Sequence, residues 1–178
     1  MPDATDLLSE DHKAVSALFS KVEGQRNPDP ATVDKIVKEL SIHDAIEKQY
    51  LYPLVADKVA GGADLASHSL DEHSAVAETL NEIDTSPADS PNRAGLLERL
   101  IALVRTHVHE EETKIFPAMR MTMTPLQLDK LGDSLLKAKA TAPTRPHPHV
   151  PSSGLGAHVA GAVSAPIDKA RDKIAGRG

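Results

Sequence analysis

The feature that most constrains this chain is an internal repeat of histidine and glutamate. His12-Lys13-Ala14-Val15 is matched by His73-Ser74-Ala75-Val76, and His43-Asp44-Ala45-Ile46-Glu47 by His107-Val108-His109-Glu110-Glu111. Five residues after each glutamate comes an aromatic residue and then proline: Tyr52-Pro53 and Phe116-Pro117. The separations within the halves are similar, 31 residues from His12 to His43 and 34 from His73 to His107. H-x-x-x-E places two side chains at i and i+4, on one face of a helix. Each half therefore reads as a helical hairpin, with one histidine on its first helix and H-x-x-x-E on its second. Two such hairpins about a pseudo-two-fold axis make a four-helix bundle with a symmetric site in its middle.

One H-x-x-x-E alone is usually a solvated ion pair. Two copies, each preceded by a lone histidine at matching distance, ask for more. Burying four histidines and two glutamates in a core without a metal is costly. One ion rarely uses six protein ligands in two symmetric sets, whereas two ions bridged by two carboxylates do. Inward-pointing His and Glu at such spacings build di-metal sites in helical bundles. The predicted ligands are His12, His43, Glu47, His73, His107 and Glu111.

Helical periodicity surrounds these residues. It predicts helices over 5–23, from Ala31 to about Ala60, from Asp64 to Ile83 and from about Asn92 to Met121. Thr124-Pro125 reads as the N-cap and first turn of a shorter fifth helix reaching about Ala140. Aromatic residues make up only 2% of the chain, so its core must come from Leu, Ile, Val and Ala. At Thr141 the composition turns rich in Pro and Gly and becomes basic. The chain thus divides into an all-α bundle over 1–140 and a tail over 141–178. That tail is read as an extended arm with a short helix near 165–175, or as an arm that docks on the bundle or binds a protein partner.

Several chemistries are excluded. There is no cysteine, so disulfides, thiolate zinc, iron–sulfur clusters and cysteine nucleophiles are out, and any metal must take nitrogen and oxygen ligands. A net charge of −6 disfavours nucleic acid as a partner. No glycine-rich phosphate loop and no G-x-S-x-G elbow is present. No apolar run reaches the roughly 18–20 residues needed to span a bilayer. The acidic start lacks the basic and apolar blocks of a signal peptide, so a cytoplasmic location is expected.

The order H…HxxxE…H…HxxxE, in helices of this length, resembles the hemerythrin-like (HHE cation-binding) family over about residues 5–140. The resemblance implies an up-down-up-down four-helix bundle around an oxygen-bridged, non-haem di-iron centre. In that frame His12, His43, His73 and His107 are terminal ligands, and Glu47 and Glu111 bridge two irons. The choice of iron over manganese or zinc comes from the resemblance. Oxygen-carrying members have five histidines, two of them at i and i+4 on the third helix. Here Ala77 follows His73 by four residues and Ser69 precedes it by four, and neither replaces imidazole. One iron then keeps a position for solvent, peroxide or another small ligand. The four-histidine pattern resembles bacterial hemerythrin-like proteins linked to peroxide and nitric oxide handling. Redox chemistry on hydrogen peroxide, nitric oxide or oxygen is the leading expectation. A reversible oxygen carrier or sensor, or a protein for iron storage or donation, would use the same ligands.

Other residues carry two readings each. Tyr50, seven residues after His43, is the candidate catalytic residue, as a ligand, hydrogen-bond donor or redox-active phenol; otherwise it is a core tyrosine. Tyr52 lies about half a turn from His43 by the 3.6-residue period and is placed at the bundle edge, with Phe116 its counterpart. Pro53 and Pro117 predict a shared bend beyond the metal layer, or else a plain helix end. Asp11, Asp71 and Glu72 are candidate acceptors for imidazole N–H groups, or surface charges. Glu110 competes with Glu111 as a ligand, while Glu112 is expected to face solvent. His68 and His109 are read as surface residues, and His147 and His149 as at most adventitious ligands. Met119, Met121 and Met123 are read as packing residues.

Overall fold

The structure, a computed structural model, describes residues 3–148 and 166–173. Asp3 starts the first helix, its carboxylate accepting from the backbone N–H groups of Thr5 and Asp6; α1 then runs over Ala4–Val22. Asp29 caps α2 (Pro30–Ile46) through the N–H of Thr32, with proline in the first turn. This helix does not stop at Ile46. A π-helical turn, π1 (Glu47–Leu51), carries it into α3 (Tyr52–Lys58). Gly61, at φ +68°, reverses the chain in a left-handed conformation that suits glycine, and α4 comes next over Gly62–Thr85. The fourth rod repeats the second: α5 (Arg93–Glu110), π2 (Glu111–Ile115) and α6 (Phe116–Thr122). Thr124 and Gln127 form a capping box for α7 (Pro125–Lys139). A last helix, α8, covers 166–173, within the stretch where the sequence allowed one.

The fold is the expected all-α bundle: α1, α2–π1–α3, α4 and α5–π2–α6 alternate up and down. No strand occurs among the described residues. The fifth helix, α7, packs on α1 and along α2 and π1. Two apolar cores form, one on each side of a polar layer. The first holds Leu8, Leu51, Val55, Phe116, Met119 and Leu135; the second holds Phe19, Ile36, Leu40, Leu80, Leu100 and Ile101. Between them lie the histidines and glutamates of the repeat.

Part of the tail docks. Arg145, 3% exposed, reaches Asp34 on α2 at 2.8 Å and Asp84 on α4 at 2.9 Å, and pairs with Asp172 of α8. Thr144 donates to Asp172 at 2.6 Å, and His147 meets Asp168 at 2.9 Å. His149 lies outside the described residues. No helix among the described residues is long and apolar enough to cross a membrane.

Candidate metal centre

All six repeat residues meet in the middle of the bundle. Glu47 and Glu111 are wholly buried, and His12, His43, His73 and His107 are 4–7% exposed. Each histidine lies in the last α-helical turn and each glutamate opens the π-helical one; the glutamate N–H still bonds to the histidine carbonyl four residues back, so His and Glu share a face at i and i+4. The imidazoles face each other in pairs through their Nε2 atoms: His12 to His43 at 3.2 Å, His73 to His107 at 2.9 Å. The carboxylates sit between the pairs. Glu47 reaches His43 Nε2 at 3.1 Å with Oε1 and His73 Nε2 at 3.3 Å with Oε2; Glu111 Oε2 lies 3.3 Å from His12 Nε2 and 3.5 Å from His107 Nε2. Yet neither oxygen of Glu47, nor Oε2 of Glu111, makes a hydrogen bond.

That combination is informative. A buried carboxylate oxygen without a hydrogen bond is expensive, and native proteins rarely leave one. Carboxylate oxygens that crowd histidine nitrogens without a hydrogen bond could share a cation with them. Two groups of four emerge, His12, His43, Glu47, Glu111 and Glu47, His73, His107, Glu111, with ligand atoms within 4.8 Å of one another. Both glutamates belong to both groups.

A ring of outer carboxylates orients the imidazoles. His12 Nδ1 meets Glu112 at 3.0 Å, His107 Nδ1 meets Glu72 at 2.8 Å, and His73 Nδ1 meets Asp44 at 2.7 Å. His43 Nδ1 lies 3.6 Å from Asp11 Oδ2, too far for a hydrogen bond. Three of the rods hold the histidine of a neighbouring rod by a hydrogen bond, and Asp11 faces the fourth, His43, without one. An Nδ1–H donated outward leaves Nε2 with its lone pair aimed inward, the tautomer a metal ligand needs. Glu72 accepts from an imidazole as the sequence suggested, Asp11 faces one without a hydrogen bond, and Asp71 is exposed. Asp44 and Glu112 were missed, and Glu112 does not simply face solvent. The signal for Asp44 was present: in three of the rods an acidic residue adjoins the histidine, as Asp11-His12, His43-Asp44 and Glu72-His73.

The aromatic assignment needs correction. Tyr50 is only half-buried, its hydroxyl against Gln49 Nε2 at 3.2 Å. Tyr52 enters the site instead, 2% exposed: its hydroxyl donates to Glu111 Oε1 at 2.8 Å and lies 2.6 Å from His73 Nε2 and 3.3 Å from His107 Nε2. Phe116 is not at the edge either; it stacks on His12 with ring centroids 5.8 Å apart. The cause is the π-helical turn. It adds one residue to the turn, so the backbone N–H of Tyr52 bonds to the carbonyl of Glu47 and that of Phe116 to Glu111, five residues back. Counting at 3.6 residues per turn then misplaces the residues beyond the turn by roughly 100°. Proline explains the position of the turn. Pro53 and Pro117 have no N–H for a carbonyl four residues back and would clash with it, and a widened turn relieves this. Both prolines thus mark a π-helical turn ahead of them.

Among the protein groups alone, burial pushes the His43 ring down, but Glu47 and Asp11 outweigh it and raise it to about 10. Burial likewise opposes His73, yet Asp44 and Glu47 carry it to about 9. Glu47 would be raised by burial; His43 and His73 hold it well below the usual carboxylate range instead. Burial, with the charges of Glu111 and Glu47, pushes Tyr52 well up, so it remains a neutral phenol and a donor. Beside the four imidazoles lies a cavity of ≈ 20 Å³, walled by Val15, Leu40, Val76, Val104 and Val108. It has room for about one water-sized molecule.

The remaining candidates lie apart from this layer. Glu110 is half-exposed, facing Lys114 and His68, and His68 and His109 are exposed. Met119 and Met123 are buried as packing residues, but Met121 is 83% exposed.

Comparison with known proteins agrees with this geometry. The family model described as Hemerythrin HHE cation binding domain matches residues 3–119, well over half of the chain. An uncharacterised hemerythrin-like protein of Schizosaccharomyces pombe is 28% identical over 178 residues, covering 98% of this chain and 87% of its own. A DNA nickase of Nostoc is 27% identical over 139 residues; the match takes in 76% of this chain but only 38% of that protein. Among solved structures, a hemerythrin HHE cation-binding domain-containing protein from Mycobacterium kansasii matches with a TM-score of 0.67 and 24% identity, over 79% of this chain and 86% of that one.

Proposed function

Because the chain belongs to the hemerythrin HHE cation-binding domain family, we propose that its His/Glu layer holds two non-haem iron ions and acts through them on hydrogen peroxide, nitric oxide or oxygen. The observation that carries this reading is the sharing of Glu47 and Glu111 between two four-ligand groups, with three of their buried oxygens lacking hydrogen bonds. Imidazole and carboxylate donors fit iron. Bound iron would supply the redox equivalents; the protein groups do the rest. His12, His43, His73 and His107 would bind through Nε2, with His12, His73 and His107 held in orientation by hydrogen bonds to outer carboxylates. Tyr52 keeps its proton and presents a hydroxyl at the Glu111 side. The valine-rich wall excludes bulk water and limits the partner to a molecule of a few atoms. Ala77 and Ser69 are buried on α4 and provide no fifth imidazole, which favours turnover over protected oxygen carriage. A cytoplasmic setting goes with this reading. DNA nicking does not: the nickase match covers a minor part of that relative, and this chain carries a net charge of −6.

Metal analysis of natively purified protein, followed by anaerobic addition of peroxide, nitric oxide or oxygen while the absorption spectrum is followed, tests the proposal. About two irons per chain are expected, with most lost in Glu47→Ala and Glu111→Ala, and peroxide consumed or nitric oxide oxidised. Full iron content in Glu111→Ala would overturn the ligand assignment. A stable, freely reversible oxygen complex without peroxide or nitric oxide chemistry would leave a carrier or sensor.

A further inference from the structure

A third H-x-x-x-E lies outside the repeat. His68 and Glu72 stand at i and i+4 on α4, and Glu110 approaches them from α5. His68 Nε2 is 3.7 Å from Glu72 Oε1 and 3.6 Å from Glu110 Oε2. Those distances are too long for hydrogen bonds. They are close to the spacing of about 3–3.5 Å that two donors adopt on one ion at bond lengths near 2.0–2.2 Å. The other oxygen of each carboxylate is already held. Glu72 Oε2 accepts from His107 Nδ1 at 2.8 Å, and Glu110 Oε1 pairs with Lys114 at 3.1 Å. Each carboxylate is therefore fixed by one oxygen and turns the other toward the same ring nitrogen. The ligand atoms of all three residues lie within 4.8 Å of one another.

We propose that His68, Glu72 and Glu110 form a surface site for a divalent transition-metal ion that serves as a loading station for the buried centre. One imidazole and two carboxylates are a borderline donor set suited to ferrous iron, manganese or zinc. The side chain of His68 is 59% exposed and those of Glu72 and Glu110 are 19% and 25% exposed. The site opens to solvent, and water completes its coordination. Binding there is weaker and faster to exchange than in the enclosed layer. Glu72 makes the connection inward, since its carboxylate touches both the surface donors and the ring of a core histidine. An ion held at Oε1 is one carboxylate and one imidazole away from the buried ligands. The loading role rests on the di-metal reading of the core; the surface site does not.

Two measurements on the full chain separate the parts. Protein with its core already filled is titrated with Zn²⁺ by calorimetry. One further, weaker equivalent is expected, with its affinity falling by about tenfold or more in His68→Ala and in Glu110→Gln. Neither residue touches the core ligands, so metal already bound there is retained. Absence of the extra equivalent in the unaltered protein, or its persistence at full affinity in both variants, overturns the site. Metal-free protein is then mixed with Fe²⁺ and core filling followed in time. The variants are expected to fill several-fold more slowly but to the same final content. Equal rates overturn the loading role. A core that never takes iron in the unaltered chain would count against the di-iron reading and leave the Zn²⁺ result standing.

Discussion

At the residue scale, the buried layer rests on outer carboxylates. They fix three of the four imidazoles by hydrogen bonds at Nδ1, and the inward nitrogens and glutamate oxygens are left facing one another. Tyr52 adds a neutral hydroxyl that donates inward to Glu111. Tyr52→Phe removes the hydroxyl from Glu111 and His73, so the visible spectrum and peroxide turnover of the iron-loaded protein should both change. Tyr50→Phe, which removes a hydroxyl that meets Gln49, should change neither. The reverse pattern would restore Tyr50 to the site. The metal-free protein should also show a distinctive pH dependence. His43 and His73 bind protons more tightly folded, up to about 10 and about 9, than at their ordinary value of 6.5. Their contribution to stability is therefore complete below pH 6.5 and is lost as pH rises through about 9 and 10. Glu47, held below its ordinary 4.5, contributes above that value and loses its contribution as pH falls. Thermal melts of metal-free protein should peak between these limits and decline toward pH 10. Metal replaces the histidine protons, so the loaded protein should lose less on the alkaline side. Equal alkaline limbs for the two forms would contradict this account.

At the scale of elements, the two π-helical turns matter most. Each starts on a buried glutamate of the layer and ends where proline forbids the usual backbone bond. The turn lets one rod carry His and Glu in α-helical phase and still bring the next aromatic residue onto the same layer. Without it Tyr52 would point away and the rod beyond would bury a different face. Deleting Gln49 should return π1 to α-helical spacing and rotate everything after it by roughly 100°. His43 and Glu47 precede the deletion and keep their places. The expected result is a spectrum resembling that of Tyr52→Phe, together with a clear loss of thermal stability as Leu51 and Val55 leave the first core. A variant with unaltered spectrum and melting temperature would show that the phase of this turn does not matter.

On the scale of the whole molecule, the basic tail and the acidic bundle meet away from the metal layer. Arg145 ties Asp34, Asp84 and Asp172 together near the ends of α2 and α4, within reach of α8. Truncation after Ala140 takes Arg145 and α8 away. Loss of one partner from a buried ionic cluster costs on the order of 3 kcal/mol. We expect a melting temperature lower by about 5–10 °C, with iron content unchanged because all six residues proposed as ligands precede the cut. Iron lost on truncation would mean that the tail supports the layer itself. Lys139 of α7 pairs with Asp11 beside the site, and both remain in the truncated chain.

The sequence by itself determined the bundle and the six residues at its centre. Their spacing obeys the α-helical period, and a doubled pattern of His and Glu leaves few ways to bury so many polar groups. The start of α7 was also legible, because Thr124 caps neighbours only a few residues away. The tertiary structure alone decided what depends on phase and on distant partners. A π-helical turn has no clear composition of its own, so the exchange of Tyr50 for Tyr52 appears only once Glu47 and Pro53 are seen in one backbone. The outer carboxylates come from neighbouring rods, and Glu112 finds His12 across 100 positions of sequence. Arg145, in a segment that reads as extended, is buried because three aspartates from separate elements converge on it. Local rules bind residues within a turn or two. Contacts between rods depend on how the helices rotate and slide against one another, and only the packed molecule settles that.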